Sequence, residues 1–244
     1  MTSVALDDDA VERAGERLAA APLWTWCLLA FALIALRAWM TAGQGLANDL
    51  GDMDDATRLV QVRAWMTGAP WYDTWTATMG GKAGMLSHWS RFIDLPIATL
   101  LYLFGLLLPA ERAELAVRAI WPLLTLAPLL WVMARAAETL AGRTAALITL
   151  ALAAACPMGL YQFNAGRIDH HNVMIAASVS SVLLMAAWPS SQRVWRLCGI
   201  LAGVALAVGY EALAPIAALS IAVAALGLFS PTMSDAARRY VEAL

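Results

Sequence analysis

Residues 22–41 read PLWTWCLLAFALIALRAWMT, an apolar run with a single charge, Arg37. As a helix it is about 30 Å long at 1.5 Å per residue, which matches the hydrocarbon thickness of a bilayer. In lipid every backbone N–H and C=O must be paired within the chain, which leaves helices or a closed barrel. The short alternating strands of a barrel are missing from this sequence. Ahead of the run stand Asp7, Asp8, Asp9, Glu12 and Glu16 against only Arg13 and Arg17. That sign is wrong for the basic start of a cleaved leader, so the run is expected to stay as a helix.

Six more apolar runs follow, over 95–108, 116–134, 144–161, 173–188, 197–210 and 213–229. Composition agrees, with 61% hydrophobic and 14% charged residues, where soluble domains carry about a quarter charged. The net charge of −2 offers no basic surface for nucleic acid. Cys27, Cys156 and Cys198 lie inside apolar runs without metal or redox spacing and read as packing residues. The run 95–108 holds about 14 residues between Asp94 and Pro109, short of the roughly 17 needed to span. If it does not span, Arg135, Arg143, Arg193, Arg196, Arg238 and Arg239 face the cytoplasm, and Arg112, Arg118 and Arg167 face out. The opposite choice misplaces six arginines instead of three, so the positive-inside bias favours the first.

The expected fold is therefore all-α, a polytopic transmembrane helix bundle over residues 22–229. It has six spanning helices, one short membrane-embedded segment and a surface-parallel helix in the first external loop. Cytoplasmic tails cover 1–21 and 230–244, the second short enough to read as truncated. The two external loops, 42–93 and 162–172, hold all three histidines.

In the first loop, Gly51-Asp52-Met53-Asp54-Asp55 opens a helical stretch over 56–67 that Gly68 and Pro70 close. At 100° per residue Asp54, Arg58, Gln61 and Trp65 share one face. Helix capping accounts for one or two of these aspartates. Trp71, Tyr72, Asp73 and Trp75 form an aromatic cluster suited to the headgroup level, and Ser87-His88-Trp89-Ser90-Arg91 precedes the short segment. The second loop reads Asn164-Ala165-Gly166-Arg167-Ile168-Asp169-His170-His171-Asn172. In extended backbone Asp169 and His171 point the same way and His170 turns aside. Carboxylate oxygen with imidazole nitrogen suits Mn²⁺, Mg²⁺ or Zn²⁺; the alternative is that Asp169 caps the next helix. A divalent ion would then be held by Asp54 or Asp55, His88, Asp169 and His171, with Asp52 and His170 as secondary candidates. Arg58, Arg63, Arg91 and Arg167, with Lys82 behind them, are basic groups on the side where few are expected, which suggests phosphate binding.

These motifs resemble those of the GT-C superfamily of integral membrane glycosyltransferases, in particular the catalytic subunits of archaeal oligosaccharyltransferases. Gly51-Asp52-Met53-Asp54-Asp55 before a membrane-parallel helix looks like their first acidic motif. Asp169-His170-His171 looks like the archaeal form of the second, and His88-Trp89 like a pair in the first loop. The resemblance implies metal binding by Asp169 and His171, with His88 joining them. It also implies that Asp54 or Asp55 is the catalytic acid, and that the donor is a sugar on a polyprenyl-phosphate carrier at the periplasmic face of a bacterial inner membrane. The later acceptor loop and Trp-Trp-Asp motif of those subunits are not in these 244 residues, so the acceptor stays open. Two other readings are a transporter using Arg37, Arg118 and Glu211 within its helices, and an inactive fragment of a longer enzyme.

Overall fold

The computed structural model describes residues 20–42, 46, 50–77, 81–156 and 158–244. Most of the expected N-terminal tail and parts of the first loop lie outside the described residues. Among the described residues the regular elements are helices apart from one hairpin of two-residue strands, β1 (Trp75–Thr76) paired antiparallel with β2 (Met85–Leu86).

Helix α1 (Leu23–Ala42) buries Cys27, Ala30, Ile34 and Ala38, a stripe at helical spacing. Its other faces expose Leu28, Leu29, Leu33 and Leu36. Leaving such side chains in water forfeits about 1.5–3 kcal/mol each, so the surface is built for lipid. Helix α2 (Met53–Met66) starts where Asp52 Oδ1 accepts the N–H groups of Asp54 (2.9 Å) and Asp55 (3.2 Å). Asp52 is thus the cap, as the capping alternative has it. Helix α3 (Asp94–Gly105) has 12 residues, about 18 Å, too short to cross a bilayer.

Helix α4 (Ala110–Ala155) is two helical arms joined across a kink at Gly142, whose backbone is not helical (φ 83°). The chain must reverse there. A straight helix would place residues 118 and 155 about 55 Å apart, and the eleven residues from 155 to 166 reach at most about 40 Å. Yet Gly166 N–H donates to the Arg118 carbonyl at 2.8 Å. The two arms correspond to the runs 116–134 and 144–161. At the reversal Glu138 pairs with both Arg135 and Arg143, and Arg143 also donates to the Ala21 carbonyl at the start of α1.

Helices α5 (His171–Ala187), α6 (Gln192–Val208) and α7 (Leu213–Phe229) follow. The segment expected as a C-terminal tail folds back as α8 (Ser234–Val241). Its Tyr240 is buried and shares a hydrogen bond with Ser220 at 3.0 Å. Gly199 on α6 permits this contact, since a Cβ there would lie 2.3 Å from the Tyr240 carbonyl oxygen.

Among the described residues three apolar cores result. One joins α1 to both arms of α4, and one joins α5, α6, α7 and α8. The third joins Leu59 and Val62 of α2, Ile97 and Leu101 of α3, Val117 and Trp121 of α4, and Ile168 and Val208. This last core lies under the convergence of both loops and seats the site. By length and hydropathy α1, α4 and the segment Tyr210–Phe229 are long and apolar enough to cross a membrane, while α3 and α5 are shorter apolar helices.

Candidate functional site

The first step in building the site is a clamp between the two loops. Asp55 is fully buried, and its Oδ1 accepts the backbone N–H groups of Ile168 (2.7 Å) and Asp169 (3.0 Å). Its Oδ2 lies 2.7 Å from Arg167 Nη1, an ion contact without hydrogen-bond alignment. Arg167 also pairs with Asp52 and donates to Gln162 at 2.7 and 3.0 Å. Gly51 allows the close approach, because a Cβ there would sit 2.6 Å from Asp55 Oδ2. Burial pushes the Asp55 carboxyl up to about 7 against the pull of the Arg167 charge. Both Asp55 oxygens are occupied, so of the two acids offered for catalysis only Asp54 has a free hand.

Behind the clamp lies a buried charge network. Arg58 Nη1 donates to Asp94 Oδ1 at 2.8 Å and to the Ser90 carbonyl at 3.2 Å. Its Nη2 lies 3.8 Å from Asp169 Oδ1 and 3.4 Å from His170 Nδ1, and the guanidinium sits 4.9 Å over the Trp89 ring. Arg91 meets the other Asp94 oxygen at 3.2 Å and donates to the carbonyls of Gln61, Trp71 and Asp73. Two cations and two carboxylates balance inside this layer, as burial requires.

Arg58, Arg91 and Arg167, expected as phosphate-binding groups, are turned into this network. All three are buried and engaged within the chain. Arg63 alone of the four keeps an exposed guanidinium, in a pair with Glu114. The sequence showed excess positive charge in the loops. It could not show that Asp94, Asp55 and backbone carbonyls would fold inward to absorb it. Lys82 belongs to the turn Gly81–Ala83, and its side chain lies outside the described part.

Asp169, His170 and His171 form the one group among the described residues whose ligand atoms, all within 4.8 Å of one another, can hold a metal ion. Asp169 Oδ1 is 2.5 Å from His170 Nδ1, and Oδ2 meets His171 Nδ1. The two imidazoles stack with centroids 4.4 Å apart. Burial works against the Asp169 charge, but hydrogen bonds from both histidines hold its pKa below the ordinary carboxylate value. His170 does not turn aside. Its backbone is already helical (φ −76°, ψ −17°) because α5 starts at the next residue, so the alternation of an extended strand does not apply.

Asp54 is half-buried at the start of α2. Its pKa is raised by burial and then by the nearby Asp169 charge, and it also feels both imidazoles. His88 is not in the metal-holding group. It stacks flat on Tyr210 (5.0 Å, 6°), while its neighbour Trp89 tilts over His170 at 5.6 Å. Two acids that sequence reasoning did not place in the site are Asp94 and Glu211. Asp94 carries the two buried arginines, and Glu211 Oε2 reaches His170 Nε2 at 3.3 Å. The available signal for Glu211 was an acid in a break between two apolar runs on the same side as both loops. No family model, curated protein or solved structure matches this chain.

Proposed function

We propose that this chain is a membrane glycosyltransferase of the GT-C kind, moving a sugar or oligosaccharide from a polyprenyl-phosphate carrier to an acceptor at the outer membrane face. The observation that carries the reading is the Asp55 clamp, which ties the first turn of α2, where Asp54 stands, to the backbone of Ile168 and Asp169 across more than a hundred residues of sequence. Six spanning helices fit this reading: α1, the two arms of α4, α5, α6 and α7. The site would face the periplasm of a bacterial inner membrane, with the Arg135–Glu138–Arg143 cluster at the cytoplasmic end.

One carboxylate and two imidazoles fit Mn²⁺ or Zn²⁺ well and Mg²⁺ less well. Such an ion would supply positive charge near the departing phosphate. Asp54 takes the proton of the acceptor as its nucleophilic atom attacks the anomeric carbon, and the carbon–oxygen bond to phosphate breaks with its electron pair leaving on phosphate. The buried arginines hold Asp169 and Asp55 in place and do not meet substrate. Glu211 stands against His170 at the same end as the loops, not at the midplane where a transporter would need it.

The test is release of labelled sugar from a synthetic polyprenyl-phosphate donor by the purified chain in lipid nanodiscs with added divalent metal. Asp54→Ala should lower the rate by about 10²–10⁴-fold, the usual contribution of a general base. No release by the unmodified chain, or equal release by the variant, would sink the proposal.

A further inference from the structure

The turn Tyr210–Ala212 between α6 and α7 brings a third segment against the metal-holding group. Glu211 Oε2 lies 3.3 Å from His170 Nε2. Gly209 makes the space for this contact, since a Cβ there would lie 2.5 Å from His170 Cδ2 and 2.7 Å from Glu211 Oε2. On the other side of the ring, His170 Nδ1 faces Asp169 Oδ1 at 2.5 Å, and His171 also turns its Nδ1 to Asp169. Two imidazoles therefore aim the same ring atom at one carboxylate. Arg58, which has protons to donate and no lone pair, approaches that His170 Nδ1 at 3.4 Å.

A neutral imidazole carries its proton on one nitrogen and a lone pair on the other, and the partner of one fixes the role of the other. An ionised carboxylate can only accept, so Glu211 is satisfied by an Nε2–H. Asp169 takes an Nδ1–H at 2.5 Å; a cation displaces that proton, and the Nε2–H that Glu211 holds then leaves the Nδ1 lone pair to the cation, where Asp169 and His171 converge. We propose that Glu211 is a positioning residue of a divalent-cation site, holding His170 as its Nε2–H tautomer so that both imidazoles and the Asp169 carboxylate form the donor set. Gly209 keeps open the space in which the His170 ring sits. The arrangement is a carboxylate–histidine–metal chain, in which the outer carboxylate orients the ring and raises its basicity. His170 is then a ligand in its own right, and the cation site draws on two separated segments. This inference rests on the cation site of the proposed function and not on sugar transfer.

Mn²⁺ binding to the full chain in nanodiscs, followed by electron paramagnetic resonance, tests it without any activity assay. The unmodified chain should bind one Mn²⁺, with nitrogen modulation from two imidazoles in the pulsed spectrum. Glu211→Ala should weaken binding by about 10–100-fold and reduce the signature to one imidazole. Glu211→Gln should restore most of the affinity, because its amide oxygen still accepts the Nε2–H. Gly209→Ala should behave like Glu211→Ala by displacing the ring. Unchanged affinity in Glu211→Ala, a single-imidazole spectrum in the unmodified chain, or no Mn²⁺ binding at all would each overturn the proposal. The unmodified spectrum decides the matter if a variant does not fold. A chain that binds Mn²⁺ through two imidazoles yet transfers no sugar would keep the positioning role and remove the transferase reading.

Discussion

Asp54 and Asp55 are adjacent and chemically identical, yet their environments give them different work. Removing the Asp55 side chain leaves two buried N–H groups without an acceptor, at about 1–3 kcal/mol each, and strips Arg167 of a buried partner. Asp55→Ala is therefore expected to fail to accumulate or to melt far below the unmodified chain. Asp54→Ala should fold normally and lose transfer, and thermal melting beside the transfer assay separates the two. The Asp55 carboxyl, pushed up to about 7 by burial, adds a pH signature. Its folded pKa lies above the value of 3.8 for the free side chain, so the native state binds the extra proton. Its contribution to stability is complete below about pH 4 and is lost as pH rises through about 7. In metal-free protein the melting temperature should fall over that window, and Asp55→Asn, which keeps an acceptor oxygen without the charge, should flatten the fall. Asp169, held below its ordinary value, acts in the opposite sense and only in stronger acid. The sequence showed both aspartates as site candidates. Which of them is clamped depends on contacts to residues 113 and 114 positions away, and local pattern does not reach that far.

At the scale of elements, hydropathy and turn chemistry carried most of the reading. The helix over 56–67 appears as α2 with its Asp52 cap, and the run too short to span appears as α3. The separate runs 116–134 and 144–161 appear as the arms of α4. The segment after 230 was missed because α8 is polar on one face, and its burial comes from Tyr240 docking against the glycine side of α6. The expectation for His170 failed for a related reason. An extended loop and the last residue before a helix look alike in letters but place alternate side chains differently. Gly142 is the element-scale position most open to test. Its φ of 83° with ψ of −179° is a conformation a β-carbon disfavours, at about 1–3 kcal/mol, and no side chain crowds the site. Gly142→Val should therefore lower the melting temperature through backbone strain alone and leave Mn²⁺ binding at the far end of the bundle unchanged. An unshifted melting curve would mean that the reversal can be made by other residues.

For the whole molecule, the loops meet at one end of the bundle, and the Arg135–Glu138–Arg143 cluster marks the other. Whether these ends face opposite sides of a membrane turns on α5, whose 17 residues form about 26 Å of apolar helix. That length is marginal against a core of about 30 Å, and it suffices only with interfacial residues at both ends. His170 and His171 stand at one end, and Trp188 with Arg193 stands at the other. The chain supplies a natural probe, because Cys156 is exposed just before this crossing while Cys27 and Cys198 are buried. Arg193 is exposed just after it. A membrane-impermeant maleimide added to intact cells should modify Cys156 of the unmodified chain. In a Cys156→Ser background, Arg193→Cys should react only after the membrane is opened. One crossing separates the two positions whatever happens elsewhere, so the outcome does not depend on α3 or on the long arm of α4. Reaction of both positions from the same side would show that α5 does not cross. The site and the arginine-rich end would then share a face, and the positive-inside reading of this chain would have to be abandoned.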